Sequence, residues 1–164
     1  MSDRTWNVLF LCTGNSARSI MGEALTNHIG KGRLHAFSAG SFPTGTVNPY
    51  ALEVLDAARV PHKGARSKSW DEFAAAGAPR MDFILTVCDN AAGEVCPVWP
   101  GRPVTAHWGV PDPAAVEGDD DEKRRAFRDA AAILRRRIEL LANLTPEQLE
   151  AMSIREELRR IGKS

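Results

Sequence analysis

The sequence predicts an α/β fold, a parallel sheet with helices on both faces, and three observations lead there. Short apolar runs alternate along the chain with helical stretches, the order that builds βαβ units. The runs at residues 6–12 (WNVLFLC) and 81–88 (MDFILTVC) are short, apolar and stopped by turn residues, as buried strands are. Both end in cysteine, Cys12 and Cys88, so two strands bring a thiol to the carboxyl edge of the sheet, where ligands bind in such folds.

The elements follow in order. Residues 6–12 form the first strand, closed by Gly14 and Asn15. Residues 19–30 form a helix, with Ile20, Ala24 and Leu25 at helical spacing and Gly30 as its stop. Residues 34–40 (LHAFSAG) alternate apolar and polar and form the second strand. Residues 41–49 are loop, and a helix begins near Asn48 with Pro49 at its first position. Residues 69–75 (SWDEFAA) form a short helix, and 81–88 the third strand. Residues 89–103 are a Gly- and Pro-containing loop, and 102–108 (RPVTAHW) hold a short fourth strand. After the loop at 109–121, residues 122–144 form a long helix with Phe127, Ala130, Ala131, Leu134, Ile138 and Leu141 on one side. Residues 1–144 thus form one body. Residues 145–164 form a helical extension, in which Ser153 and Glu156 make a capping-box pattern.

The 164 residues suit one domain with a sizeable core. Acidic and basic residues number 21 each, so no broad field favours nucleic acid or an anionic membrane. No apolar run reaches the length of a membrane span and no signal peptide is evident, so a cytoplasmic protein is expected. The acidic residues 119–122 suit a helix N-terminus, and the run Arg135, Arg136, Arg137 reads as a solvated helix face. The three cysteines, Cys12, Cys88 and Cys96, make a poor disulfide framework and point to catalytic, redox or buried thiols.

Cys12 is followed by Thr13, Gly14, Asn15, Ser16 and Ala17, then Arg18 and Ser19. Such a loop can curl its backbone N–H groups inward while the next helix adds its N-terminal dipole. Gly14 supplies backbone freedom, and Asn15 tolerates unusual dihedrals. Arg18 brings a planar fork that grips two oxygens of a tetrahedral oxyanion. Cys12 then lies under the central atom, and the same positive surroundings favour its thiolate. Ser19 can donate its hydroxyl to the sulfur. No Gly-Lys-Ser/Thr follows the strand, so this is not the lysine-bearing nucleotide loop.

At these residues the chain resembles the low-molecular-weight protein tyrosine phosphatase superfamily. CTGNSARS matches its Cys-x5-Arg-Ser loop, and Asp112-Pro113 matches its acid loop. The resemblance spans roughly residues 6–142 and implies a three-layer sandwich around a four-stranded parallel sheet of order 2-1-3-4. Within the superfamily the chain is most similar to the arsenate reductases, through Thr13, Ser16, SAGSFPTGTVNP, VCDNAAGEVCP and HWGVPDPA. Where the phosphatases carry an aromatic after Asp-Pro, this chain has Ala114. Many members have a second cysteine before the loop arginine, and here that residue is Ala17. Some hold a potassium ion through residues matching Asn15, Glu23, Ser38 and a later aspartate. That aspartate falls at Trp70 here, beside Lys68.

The resemblance implies a chemistry of thiols. Cys12 attacks arsenate, Cys88 attacks Cys12 to release arsenite, and Cys96 draws the oxidation out as a Cys88–Cys96 disulfide. Asp112 is the candidate general acid for the departing oxygen. Thioredoxin is the expected electron donor, with glutaredoxin and glutathione as the alternative. The seven residues between Cys88 and Cys96 are not zinc spacing, and neither metal nor cofactor is expected. The rival function is a tyrosine or small phosphomonoester phosphatase, which would use Cys12, Arg18 and Asp112 and leave the other two cysteines idle. His107, Trp99 and Trp108 read as structural.

Overall fold

The computed structural model of the chain describes residues 5–75, 77–87, 104–144 and 147–148. The elements are β1 (Trp6–Leu11), α1 (Arg18–Ile29), β2 (Leu34–Ala39), α2 (Pro49–Ala57), α3 (Asp71–Ala74), β3 (Phe83–Thr86), β4 (Val104–His107), a 3-10 turn (Pro113–Ala115) and α4 (Asp120–Ala142). All strand pairings among the described residues are parallel, and the sheet order is β2-β1-β3-β4. This is the α/β architecture and the strand order that the resemblance implies.

Side chains alternate across β1 and split the core into two layers. Val8 and Phe10 pack with Met21 and Leu25 of α1, Leu55 of α2 and Phe127, Leu134 and Ile138 of α4. Leu9 and Leu11 pack on the other face with Ala39, Phe73 of α3, Met81 and Ile84. Because strand side chains repeat every second residue, a run apolar at every position is buried on both faces. Helix α1 lies close to β1: a Cβ at Gly22 would stand 2.8 Å from the Phe10 ring.

The register lines up the carboxyl ends of the strands. Leu11 is paired with Ala39 on one side and Thr86 on the other, and Thr86 with His107. The chain therefore leaves the sheet at one edge four times, at Cys12, Gly40, Val87 and Trp108. Val87 N–H still donates to the Leu11 carbonyl at 2.9 Å, and Trp108 N–H to that of Thr86 at 2.6 Å.

Several boundaries differ from the sequence expectation. Strand β3 is shorter than the apolar run at 81–88, because Met81 is buried for packing and lies outside the ladder. Helix α4 starts at Asp120 rather than residue 122, since Asp119 caps it by accepting the Glu122 N–H at 2.8 Å. It ends at Ala142, where Arg33 donates to the carbonyls of Ala142 and Leu144. Helix α2 begins as expected, with Asn48 accepting the Tyr50 N–H at 2.9 Å and Pro49 at its first position. The expected helices of residues 145–164 lie outside the described residues except at positions 147 and 148.

Candidate active site

The loop from Cys12 to the start of α1 is held from outside by its carbonyls. Thr13 C=O accepts from Phe42 N–H at 3.0 Å, Gly14 C=O from Thr44 N–H at 3.0 Å, and Ser16 C=O from Asn48 N–H at 2.8 Å. Ser67 Oγ adds a second bond to the Gly14 carbonyl at 3.1 Å. Carbonyls bonded to neighbouring segments in this way are what an anion nest of inward peptide N–H groups requires. Ala17, at the N-cap of α1, has no capping side chain, so its own side chain does not compete for the first-turn N–H groups, the groups that bind anions at helix starts.

The left-handed residue of the loop is Asn15, at φ 45°, and not the glycine beside it. Asn15 is fully buried and bonded at both ends of its amide. Its Nδ2 donates to Ser19 Oγ at 2.8 Å, and its Oδ1 accepts the Lys68 N–H at 2.8 Å. With Ser19 Oγ accepting from Asn15, its hydroxyl proton is available to donate elsewhere. Cys12 is 5% exposed and Ser19 is buried completely. Gly40 is also needed here: a Cβ there would stand 2.4 Å from the Thr13 carbonyl oxygen and 2.7 Å from that of Cys12. Even alanine would push the loop from its seat.

Arg18 joins this loop to the acid loop. Its Nη1 donates to the Val110 carbonyl at 2.8 Å, and its Nη2 lies 3.7 Å from Asp112 Oδ2. Asp112 Oδ1 accepts the Ala114 N–H at 2.9 Å, which starts the 3-10 turn of Pro113–Ala115. The Asp112 carboxyl is half exposed and faces the arginine. A pair of sequence motifs almost a hundred residues apart thus shares one mouth.

Arg137 corrects the reading of the 135–137 run. It is only 9% exposed, and its Nη1 donates to the Gly109 carbonyl at 2.9 Å. Burial, with Arg136 beside it, pushes its pKa below the ordinary arginine value. Its Nε is buried and finds no hydrogen-bond partner among the described residues. Consecutive helical positions point about 100° apart, so one arginine of three faces inward, and composition alone does not show which. Arg137 and Arg18 hold two successive carbonyls, Gly109 and Val110, at the base of the acid loop. Arg137→Met is expected to lower kcat by roughly tenfold while KM moves little, because the oxyanion loop is untouched. Leaving the Gly109 carbonyl unsatisfied is expected to cost about 1–3 kcal/mol of stability. Steady-state kinetics and a urea melt check both.

His107 Nδ1 lies 2.8 Å from Thr86 Oγ1 and ties the ends of β3 and β4. Trp108 is completely buried and meets Phe10 edge-on at 6.3 Å between ring centres. Cys88, Cys96 and Trp99 lie outside the described residues. No helix among the described residues is long and apolar enough to cross a membrane.

The cysteine that follows the first strand opens a loop that ends at Arg18, and Arg18 faces Asp112. The family of low molecular weight phosphotyrosine protein phosphatases matches residues 7–154, and the chain belongs to it. An arsenate reductase of Halalkalibacterium halodurans is 35% identical over 135 residues, covering 82% of this chain and 94% of that protein. Among solved structures, the low molecular weight protein tyrosine phosphatase from T. tengcongensis aligns with a TM-score of 0.68 and 26% identity, covering 85% of this chain and 100% of that one. The thioredoxin-dependent arsenate reductase of Corynebacterium glutamicum aligns with a TM-score of 0.56 and 25% identity, over 86% of this chain and 65% of that one.

Proposed function

We propose that the protein is an arsenate reductase that uses Cys12 as nucleophile and passes the oxidation through Cys88 and Cys96. The observation that carries this is Arg18, which closes the Cys12 loop and faces Asp112 across the same mouth. Arsenate enters the nest of inward N–H groups, with its oxygens on Arg18 and the start of α1. The Cys12 thiolate attacks arsenic, and Asp112 gives its proton to the departing oxygen, which leaves as water. Cys88 then attacks the Cys12 sulfur. The sulfur–arsenic bond breaks, its electron pair stays on arsenic, and arsenite leaves as As(III). The new Cys12–Cys88 disulfide is opened by Cys96, which returns Cys12 as thiolate and leaves Cys88–Cys96 oxidised.

A small dithiol protein restores the enzyme. Thioredoxin is our choice, supported by the likeness to the thioredoxin-dependent enzyme of C. glutamicum. Glutaredoxin with glutathione is the alternative donor. Such a cycle suits a reducing cytoplasm. Residues 1–144 carry the whole site in this reading, with residues 145–164 as an appendage. Phosphomonoester hydrolysis is the second reading, since Cys12, Arg18 and Asp112 suffice for it and a phosphatase is among the structural neighbours. Arsenite production with a thioredoxin system, measured beside aryl phosphate hydrolysis, separates the two. Hydrolysis without arsenite would sink the reductase.

Asp112→Asn is expected to slow the first chemical step by roughly 10- to 10,000-fold, the range for loss of a general acid. The fold is expected to persist, because the side chain is half exposed. Rapid-mixing kinetics of arsenate attack measure the step, and an unchanged rate would remove Asp112 from the mechanism.

A further inference from the structure

We propose that the Lys68 ammonium is a fixed internal cation that braces the oxyanion loop, so that the loop of this chain needs no bound monovalent cation. Lys68 is 8% exposed, unusual for a lysine. Its Nζ donates to the Arg66 carbonyl at 2.9 Å and to Ser38 Oγ at 3.3 Å, and lies 3.6 Å from Glu23 Oε1. Ser38 Oγ in turn donates to Glu23 Oε1 at 2.6 Å. A carboxylate, a hydroxyl and a carbonyl thus converge on one positive charge. Burial pushes the Lys68 pKa down from the ordinary lysine value, and the Glu23 charge pulls against that.

The brace reaches the loop through the main chain of the same residue. The Lys68 N–H donates to Asn15 Oδ1, and Asn15 Nδ2 donates to Ser19 Oγ at the start of α1. The Lys68 carbonyl accepts the Gly40 N–H at 2.9 Å, beside the carbonyls of Cys12 and Thr13. The ammonium therefore pins the segment that holds Asn15 in its left-handed conformation. Lys68 is a positioning residue: it acts on the anion site through Asn15 and Gly40.

The potassium site implied by the family resemblance does not fit these residues. Two of its expected oxygen donors, on Glu23 and Ser38, already face the ammonium, and the position of its aspartate is Trp70. A second cation among these groups would sit against a like charge in a poorly solvated place. With the ammonium removed, the same oxygens become a vacant cation site of suitable chemistry, which makes the idea testable.

The test uses inorganic phosphate as probe, so it rests on the oxyanion loop alone and its failure is distinct from failure of the arsenate reading. Phosphate affinity is measured by calorimetry in potassium chloride and in choline chloride at equal ionic strength. Wild type is expected to bind phosphate equally in the two, within about twofold, because screening is matched. Lys68→Met is expected to bind about 10- to 100-fold more weakly in choline, the usual loss when a residue that orients a site is removed. Potassium is expected to restore most of that loss and to raise the melting temperature of Lys68→Met more than that of wild type. Adding Glu23→Ala is expected to abolish the recovery. The melting comparison still decides if Lys68→Met folds only marginally. A wild type that requires potassium, a Lys68→Met protein with normal affinity in choline, or a loss that potassium does not restore would each overturn the proposal.

Discussion

Cys12→Ser is expected to abolish both arsenite production and aryl phosphate hydrolysis, by roughly 10,000-fold or more, as loss of an enzyme's nucleophile does. The other two cysteines divide the reactions. Cys88→Ser is expected to stop reduction yet keep hydrolysis, because the Cys12 loop and Asp112 are intact. Cys96→Ser is expected to give about one turnover per enzyme and then stall as a Cys12–Cys88 disulfide, since no resolving thiol remains. Mass spectrometry of the proteolysed, stalled protein identifies the joined pair. Steady turnover of Cys96→Ser with thioredoxin as sole reductant would reject the three-cysteine relay.

Arg18→Lys is expected to cost roughly 100- to 1,000-fold in kcat/KM, the range for losing a donor to a developing oxyanion. The structure raises the demand on this side chain. One nitrogen holds the Val110 carbonyl while another faces Asp112. A lysine has one point of charge and cannot serve the acid loop and an oxyanion with a planar fork. Phosphate is expected to compete less well in the variant. Kinetics near those of wild type would show that the loop is not the anion site.

Much of this site was legible because its chemistry sits at strand ends. The run at residues 6–12 announces a strand, Gly14 and Asn15 announce its stop, and five residues separate the cysteine and arginine that bracket the loop. Asp112 was legible from its proline and the family likeness, and the geometry places it opposite Arg18. Other features carried no local signal. Lys68 lies in a loop without periodicity, and its value comes from groups at positions 15, 23, 38 and 66. Arg137 looked like its two neighbours because three charged residues in a helix differ only in the direction they face. The left-handed turn fell on Asn15 rather than Gly14, since Asn15 also supplies an amide that bonds at both ends.

The reach of those bonds bears on how the chain folds. The bond from Lys68 to Asn15 spans 53 residues, and that from Arg18 to Val110 spans 92. Closing such long loops costs chain entropy before any contact repays it, so these contacts form late. Helix α1 and its neighbours can assemble on a microsecond scale, but the cradle is incomplete until segments from both halves of the chain have docked. A partly folded chain therefore has its helices and Cys12, the nucleophile we propose, before the loop around that cysteine is braced. The Cys12 thiol, buried in the folded chain, is then open to oxidation in the interval when nothing selects what it meets.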